Sequence, residues 1–226
     1  MRVAAPRRAP GRKPSRSREE VLESALAVAD AEGLEGLTMR RLAAELGVAP
    51  MALYRYFPNK EVLVAGLYDT AIGSYDPAAH RRGSHRKRLE SAFRWFRNTL
   101  VSHPAVLSVA VRRAGIGRTS DRISEHVLSL LREIAHNDRE ATRGFFALVS
   151  YTVGFAVLEG AAHSERERAH VDDPGEWLRL SRLRFEALPR AEFPSLVALA
   201  PEIGGYWTDS QFEDGLARIL DSIETA

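Results

Sequence analysis

The sequence predicts an all-α fold: an N-terminal three-helix unit built around a helix-turn-helix, followed by a larger C-terminal helical bundle. Three observations carry this. Apolar residues recur at helical spacing along most of the chain, and no run alternates as a half-buried strand would. The tight segment "ELGVAP", Glu45 to Pro50, separates two short periodic stretches, which are the dimensions of a helix-turn-helix. Hydrophobic residues make up 45% of the 226, enough to fill a core.

Residues 1–16 are set apart by Arg2, Arg7, Arg8, Arg12, Lys13 and Arg16 with prolines at 6, 10 and 14, and read as a flexible basic arm. The arm lacks the apolar stretch of a secretory signal. It is either a solvated tail or a segment that lies on phosphates or in a minor groove. The helix-turn-helix unit is expected over 17–65 and the helical bundle over 66–226. Ser17 and Glu20 form a capping box for the first helix. Val21, Leu22, Ala25, Leu26 and Ala29 make its apolar stripe, and Gly33 stops it. Thr38 caps a second helix that ends at Gly47. Ala49-Pro50 opens a third, since proline at the first helical position loses no useful hydrogen bond. "FPNK" breaks the chain, and Asn59 caps a fourth helix to about Ser74. Further helices are expected near 86–102, 104–113, 120–136, 139–168, 175–188 and 210–224. Segment 189–209 reads as loop around at most one short helix. The apolar run Phe145–Gly160 falls short of a bilayer span and reads as a buried helix, so no membrane partner is expected.

The third helix has the character of a probe. Leu42, Ala43, Leu46, Val48 and Leu53 lock it against its neighbours. Pro50, Met51 and Ala52 sit at its N-terminal end, the end such a helix presents to base edges. They offer no bidentate hydrogen bonds but can meet thymine methyls. Tyr54, Arg55, Tyr56 and Lys60 follow, with hydroxyls and cations suited to phosphate oxygens. Arg40 is the guanidinium placed to reach a guanine.

The stretch "GLTMRRLAAELGVAPMALYRYFPNKEVL", and above all Leu53-Tyr-x-Tyr-Phe-x-Asn-Lys60, resembles the DNA-binding signature of TetR-family transcriptional regulators over residues 17–65. The resemblance implies base-reading positions at Arg40, Pro50, Met51 and Ala52. It implies phosphate contacts at Thr38, Tyr54, Tyr56 and Lys60, with Arg55 where contacts vary. Alanine at 49 and 52, where the family often has serine or threonine, reduces hydrogen bonding there. More weakly, "YTVGFAVLEGAAHSERERAH" and "SQFEDGLARILDSIE" are similar to the tetracycline-repressor-like branch, which dimerises through two such helices and binds an inducer within its helical core. The magnesium site of that branch is not reproduced. Ala110 stands where its histidine would be, and Glu159 matches only an acidic position nearby, so neither metal nor cofactor is implied.

Reading two half-sites requires a dimer. Ser210-x-x-Glu213 reads as a capping box for the last helix, whose stripe Phe212, Leu216, Ile219, Leu220 and Ile223 either caps its own core or, with helix 139–168, forms an intersubunit four-helix bundle. The dimer surface is the expectation carried forward. The candidate inducer pocket is lined by Phe93, Phe96, Leu100, His103, Phe145, Val149, Thr152, Phe155 and Trp177, with His103 and Thr152 as orienting polar groups.

The expected function is a ligand-responsive repressor on a palindromic double-stranded DNA operator, released by a small apolar or amphipathic inducer. An activator of the same family or an all-helical protein–protein module are the alternatives. The chain has no cysteine, which removes disulfides and thiol nucleophiles and suits a reducing cytoplasm. It has no phosphate-binding glycine loop or nucleophile elbow either, so an enzyme is not expected.

Overall fold

A computed structural model of the chain describes residues 16–113, 117–203 and 207–225, so the basic arm lies outside the described residues apart from Arg16. Among the described residues there are helices and no strands. The helix-turn-helix unit comprises α1 (Arg18–Gly36), α2 (Met39–Leu46) and α3 (Pro50–Leu53), and α4 (Lys60–Gly73) leads out of it. The bundle comprises α5 (His85–Ser102), α6 (Pro104–Arg113), α7 (Arg118–Arg132), α8 (Asp138–Arg168), α9 (Pro174–Glu186), α10 (Pro194–Ala198), α11 (Ala200–Ile203) and α12 (Asp209–Thr225).

Helix starts follow local chemistry. The Ser17–Glu20 box is closed in both directions, at 3.0 and 2.8 Å. Thr38 Oγ1 accepts from Arg41 N at 3.0 Å, and Asn59 Oδ1 from Val62 N at 2.9 Å. Each such cap satisfies a backbone donor that the first helical turn leaves open and contributes about 1 kcal/mol. Gly33 interrupts α1 with φ 74°, and Gly47 ends α2 with φ 64°, a backbone region in which a side chain is strained.

Three expectations need correction. Regular helix in α3 ends at Leu53, and Tyr54–Tyr56 form a turn closed by Tyr56 N and Phe57 N donating to Leu53 O. Segment 189–209 carries two short helices, α10 and α11. The last helix is capped two residues earlier than its Ser210 box required, at Thr208. Thr208 and Gln211 exchange backbone-to-side-chain bonds at 3.4 Å each, and Glu213 is left to pair with Arg94 instead.

Two apolar clusters hold the molecule. One joins α1–α4 to α5 and α6 through buried Leu22, Leu42, Leu53, Phe57, Leu63, Leu67, Leu100 and Val106. The other joins α5, α7, α8 and α12 through Leu89, Phe93, Leu131, Leu148, Phe155, Phe212, Leu216 and Leu220. Phe96 and Ile123 touch both. Each large side chain stabilises by about 1.5–3 kcal/mol, so the head and the bundle form one continuous body. The boundary expected at residue 65 falls inside α4, which packs on α1, α6 and α7.

Candidate DNA-reading head and ligand cavity

The head presents the residues the sequence singled out. Leu42, Ala43, Leu46 and Leu53 are buried and fix α2 against α3. Met51 is 76% exposed, and Arg40, Pro50, Tyr54 and Arg55 also face solvent, while Ala52 is half-buried. Arg40 is free for a base edge because its neighbour Arg41 takes the structural role, bridging Glu32 and Glu45 at 2.8 Å each.

The polar groups at the rim differ in what they have left to give. Thr38 Oγ1 accepts from Arg41 N in its cap, and a hydroxyl that accepts there still has its proton to donate. Lys60 Nζ donates to Leu34 O at 2.5 Å, which ties α4 to the end of α1 and leaves two of its three protons. Tyr56 is already engaged. Its single O–H donates to Arg16 O at 2.6 Å and so is not available to a phosphate in this arrangement.

The bundle encloses a cavity of about 460 Å³ between α4, α5, α7 and α8. Phe93, Phe96, Phe145 and Val149 line it as expected. The other candidates do not. Leu100 is core, fully buried beside α6. His103 Nδ1 lies 2.7 Å from Asp30 Oδ2, so this side chain ties the end of α5 to α1. Thr152 is buried off the cavity, with no partner for its hydroxyl. Phe155 packs on Tyr151, Trp207 and Phe212, under the Arg97 guanidinium. Trp177 lines a separate 290 Å³ depression between α8 and α9.

Sequence reasoning missed the wall built by α4, the turn after it and α7: Tyr68, Ile72, Tyr75, Ser120, Ile123 and Ser124. A signal was present, since Tyr68, Ile72 and Tyr75 recur at i, i+4 and i+7 on one face. Burial pushes the Tyr68 phenol up and that of Tyr75 up to about 12, so both remain O–H donors throughout the neutral range.

The dimer stripe also needs correction. Phe212, Leu216 and Leu220 are fully buried and Ile223 nearly so, packed against α5 and α8 of their own chain, and only Ile219 is partly exposed. The unpartnered apolar face belongs to α8. Phe146 is 63% exposed, Leu158 45% and Val157 37%, in line with exposed Ala147, Ser150 and Ala161. At 31 residues, with an 18-residue window of mean hydropathy 1.6, α8 is long and apolar enough to cross a membrane by length and composition. Its Ala141, Gly144, Leu148, Thr152, Phe155 and Ala156 side is nevertheless buried in the chain. Glu159, half-buried on this helix, is engaged by Arg97 at 2.6 Å.

A helix-turn-helix head joined rigidly to a helical body with an internal cavity defines a class, the ligand-binding transcription factors. Residues 21–67 match "Bacterial regulatory proteins, tetR family" and residues 77–226 match "Tetracyclin repressor-like, C-terminal domain". The chain is 34% identical over 215 residues to the HTH-type transcriptional repressor DrrR1 of Streptomyces coeruleorubidus, covering 95% of this chain and 79% of that one. It is 30% identical to the class C tetracycline repressor of Escherichia coli, over 92% and 90% of the two chains. Its fold is similar to the TetR family protein ActR of Streptomyces coelicolor in complex with actinorhodin, with TM-score 0.75, 25% identity and coverage of 92% and 97%. The chain belongs to the TetR family of transcriptional repressors.

Proposed function

We propose that this protein occupies a palindromic operator as a homodimer in the cytoplasm and is released when a small apolar or amphipathic molecule fills the cavity, with no catalytic step. The observation that carries this reading is α4. Its middle, Tyr68 and Ile72, is cavity wall. Its first half meets the head, where Lys60 bonds to Leu34 O and Gly66 lies against Leu22, so close that a Cβ there would stand 2.6 Å from Cδ2. A ligand that displaces the wall therefore displaces the head. In a dimer with heads about 34–36 Å apart, one DNA turn, a small tilt mismatches both half-sites. Release requires that the ligand prefer the tilted state, since equal affinity for both states shifts nothing.

Pro50, Met51, Ala52 and Arg40 are assigned to the bases, and Thr38, Tyr54, Arg55 and Lys60 to the phosphates. The α8 face is assigned to the partner in place of the α12 stripe. The reading is tested by titrating operator-bound protein with cavity-sized aromatic compounds and following fluorescence anisotropy of the DNA. A compound that binds the protein with one-to-one stoichiometry per chain should lower operator affinity. If every bound compound leaves that affinity unchanged, the release mechanism is wrong. Lys60→Ala should weaken operator binding and reduce the slope of log K against log salt by about one. An unchanged slope would remove Lys60 from the phosphate contacts.

A further inference from the structure

We propose that the cavity takes an uncharged, flat, polycyclic aromatic molecule carrying a hydroxyl, which pairs with the hydroxyls of Tyr75 and Ser120; this rests on the reading of the cavity as the effector site. Its walls are aromatic on several sides, with Tyr68 from α4, Phe93, Trp95 and Phe96 from α5, and Phe145 from α8. Ring walls favour a ligand that can stack offset or edge-on against them. Among the described residues no charged side chain lines the cavity. A carboxylate or ammonium entering it would lose its hydration with no counter-charge in return.

The polar end is built in. Tyr75 and Ser120 both line the cavity, at 9% and 5% exposure; the Tyr75 hydroxyl has no hydrogen-bond partner, and the Ser120 hydroxyl stands beside the Tyr68 phenol, which is also cavity wall. The Tyr75 ring is held on several sides, stacked on His80 at 4.9 Å and tilted against Trp95 at 4.8 Å and His126 at 5.9 Å. Its hydroxyl is thereby placed before any ligand arrives, and preorganised groups bind at lower entropic cost. A hydroxyl both donates and accepts, so this pair can satisfy a phenol in either sense. Burial holds the His80 and His126 imidazoles below their ordinary pKa, so neither adds charge at neutral pH. A volume of about 460 Å³ admits a drug-sized molecule, and exposed Phe146 and Ser150 stand at the mouth.

The probes are 9-phenanthrol, phenanthrene and phenanthrene-9-carboxylate, followed by tryptophan fluorescence. Trp95 lines this cavity, whereas Trp177 and Trp207 line the depression beside α9, so quenching in the native chain that disappears in Trp95→Phe locates the site. The phenol should bind about tenfold more tightly than the hydrocarbon, and the carboxylate more weakly than either. Tyr75→Phe and Ser120→Ala should each reduce that preference several-fold while leaving phenanthrene affinity unchanged, which also shows that the variants are folded. Equal affinity for phenol and hydrocarbon, tightest binding of the carboxylate, or quenching that survives Trp95→Phe would each overturn the proposal. Operator release is measured alongside. Hydroxyl-dependent binding that leaves the operator occupied sustains the ligand class and removes the release mechanism. Release by other compounds with no phenanthrol binding does the reverse.

Discussion

Arg97 shows how a single buried cation organises this bundle. Its side chain is 7% exposed, grips Glu159 at 2.8 and 2.6 Å, and reaches Asp209 at 2.7 Å. Its guanidinium also lies 5.2 and 4.9 Å from the ring centres of Phe155 and Phe212. Asp209, almost fully exposed, adds little. The Glu159 pair is different, because deleting one partner of a buried pair strands the other. Arg97→Ala is expected to destabilise the chain by about 3 kcal/mol in urea unfolding, and Arg97→Ala with Glu159→Gln by less than that. A second residue-scale prediction concerns pH. Burial is the main cause that lowers the pKa of His80 and His126 from the ordinary 6.5, and Arg88 and His80 add to the effect at His126. As pH falls, the unfolded chain takes up these protons first, so stability is full above about 6.5 and is lost as pH drops through the folded values. Melting temperature should therefore fall between about pH 7 and pH 5, and less steeply in His126→Gln. An equal slope in that variant would show that His126 does not contribute.

Among elements, α8 and α12 approach each other closely. A Cβ on Gly215 would meet the Tyr151 hydroxyl and stand 2.5 Å from Cζ. That ring cannot easily give way. Its hydroxyl donates to Gln211 O and Phe212 O at 3.1 Å each, and its face stacks on Phe212 at 5.5 Å. Alanine gains about 1 kcal/mol in helix propensity, but overpacking against a fixed ring costs about 1–3. Gly215→Ala should thus be destabilising by about 1–2 kcal/mol in chemical unfolding, and a neutral or stabilised variant would mean that α12 can shift. The same contact shows what the sequence could and could not give. The periodicity of α12 was legible, because a stripe such as Phe212, Leu216, Leu220 and Ile223 has one spacing wherever it is buried. Whose core it enters depends on α5 and α8 leaving a groove for it, and no local pattern encodes that. The helix-turn-helix was legible almost residue by residue, since its caps, its turn glycine and its proline act within a few positions. The cavity was half legible. Phe93 and Phe96 of α5 and Phe145 of α8 stood out, but Trp95 and Phe146 beside them did not, Tyr68 was hidden by the role of α4 as a connector, and His103 was drawn away by Asp30, 73 residues earlier in the chain.

At the scale of the whole molecule, the exposed face of α8 asks for cover. Only 22% of its most apolar 18-residue window is buried within the chain. Exposed apolar residues in isolation need no explanation, but Phe146, Val157 and Leu158 fall on one helix face with small residues between them. Gly154 has open space where a Cβ would stand, which leaves room for a neighbouring helix to approach. A second copy crossing here would set two α8 helices together. Because Phe146 is both on this face and at the cavity mouth, filling the cavity and seating the partner would be felt by one side chain. Replacing Val157 and Leu158 with aspartate places like charges in that seam, where they cost far more than on an open surface. The double variant is expected to sediment as a monomer at micromolar concentration while keeping its helical content. Its affinity for a full palindrome should fall by at least a hundredfold, toward that of the native protein for a single half-site. A double variant that remains dimeric would move the interface off α8, and a native protein that is monomeric at that concentration would remove the two-headed reading altogether.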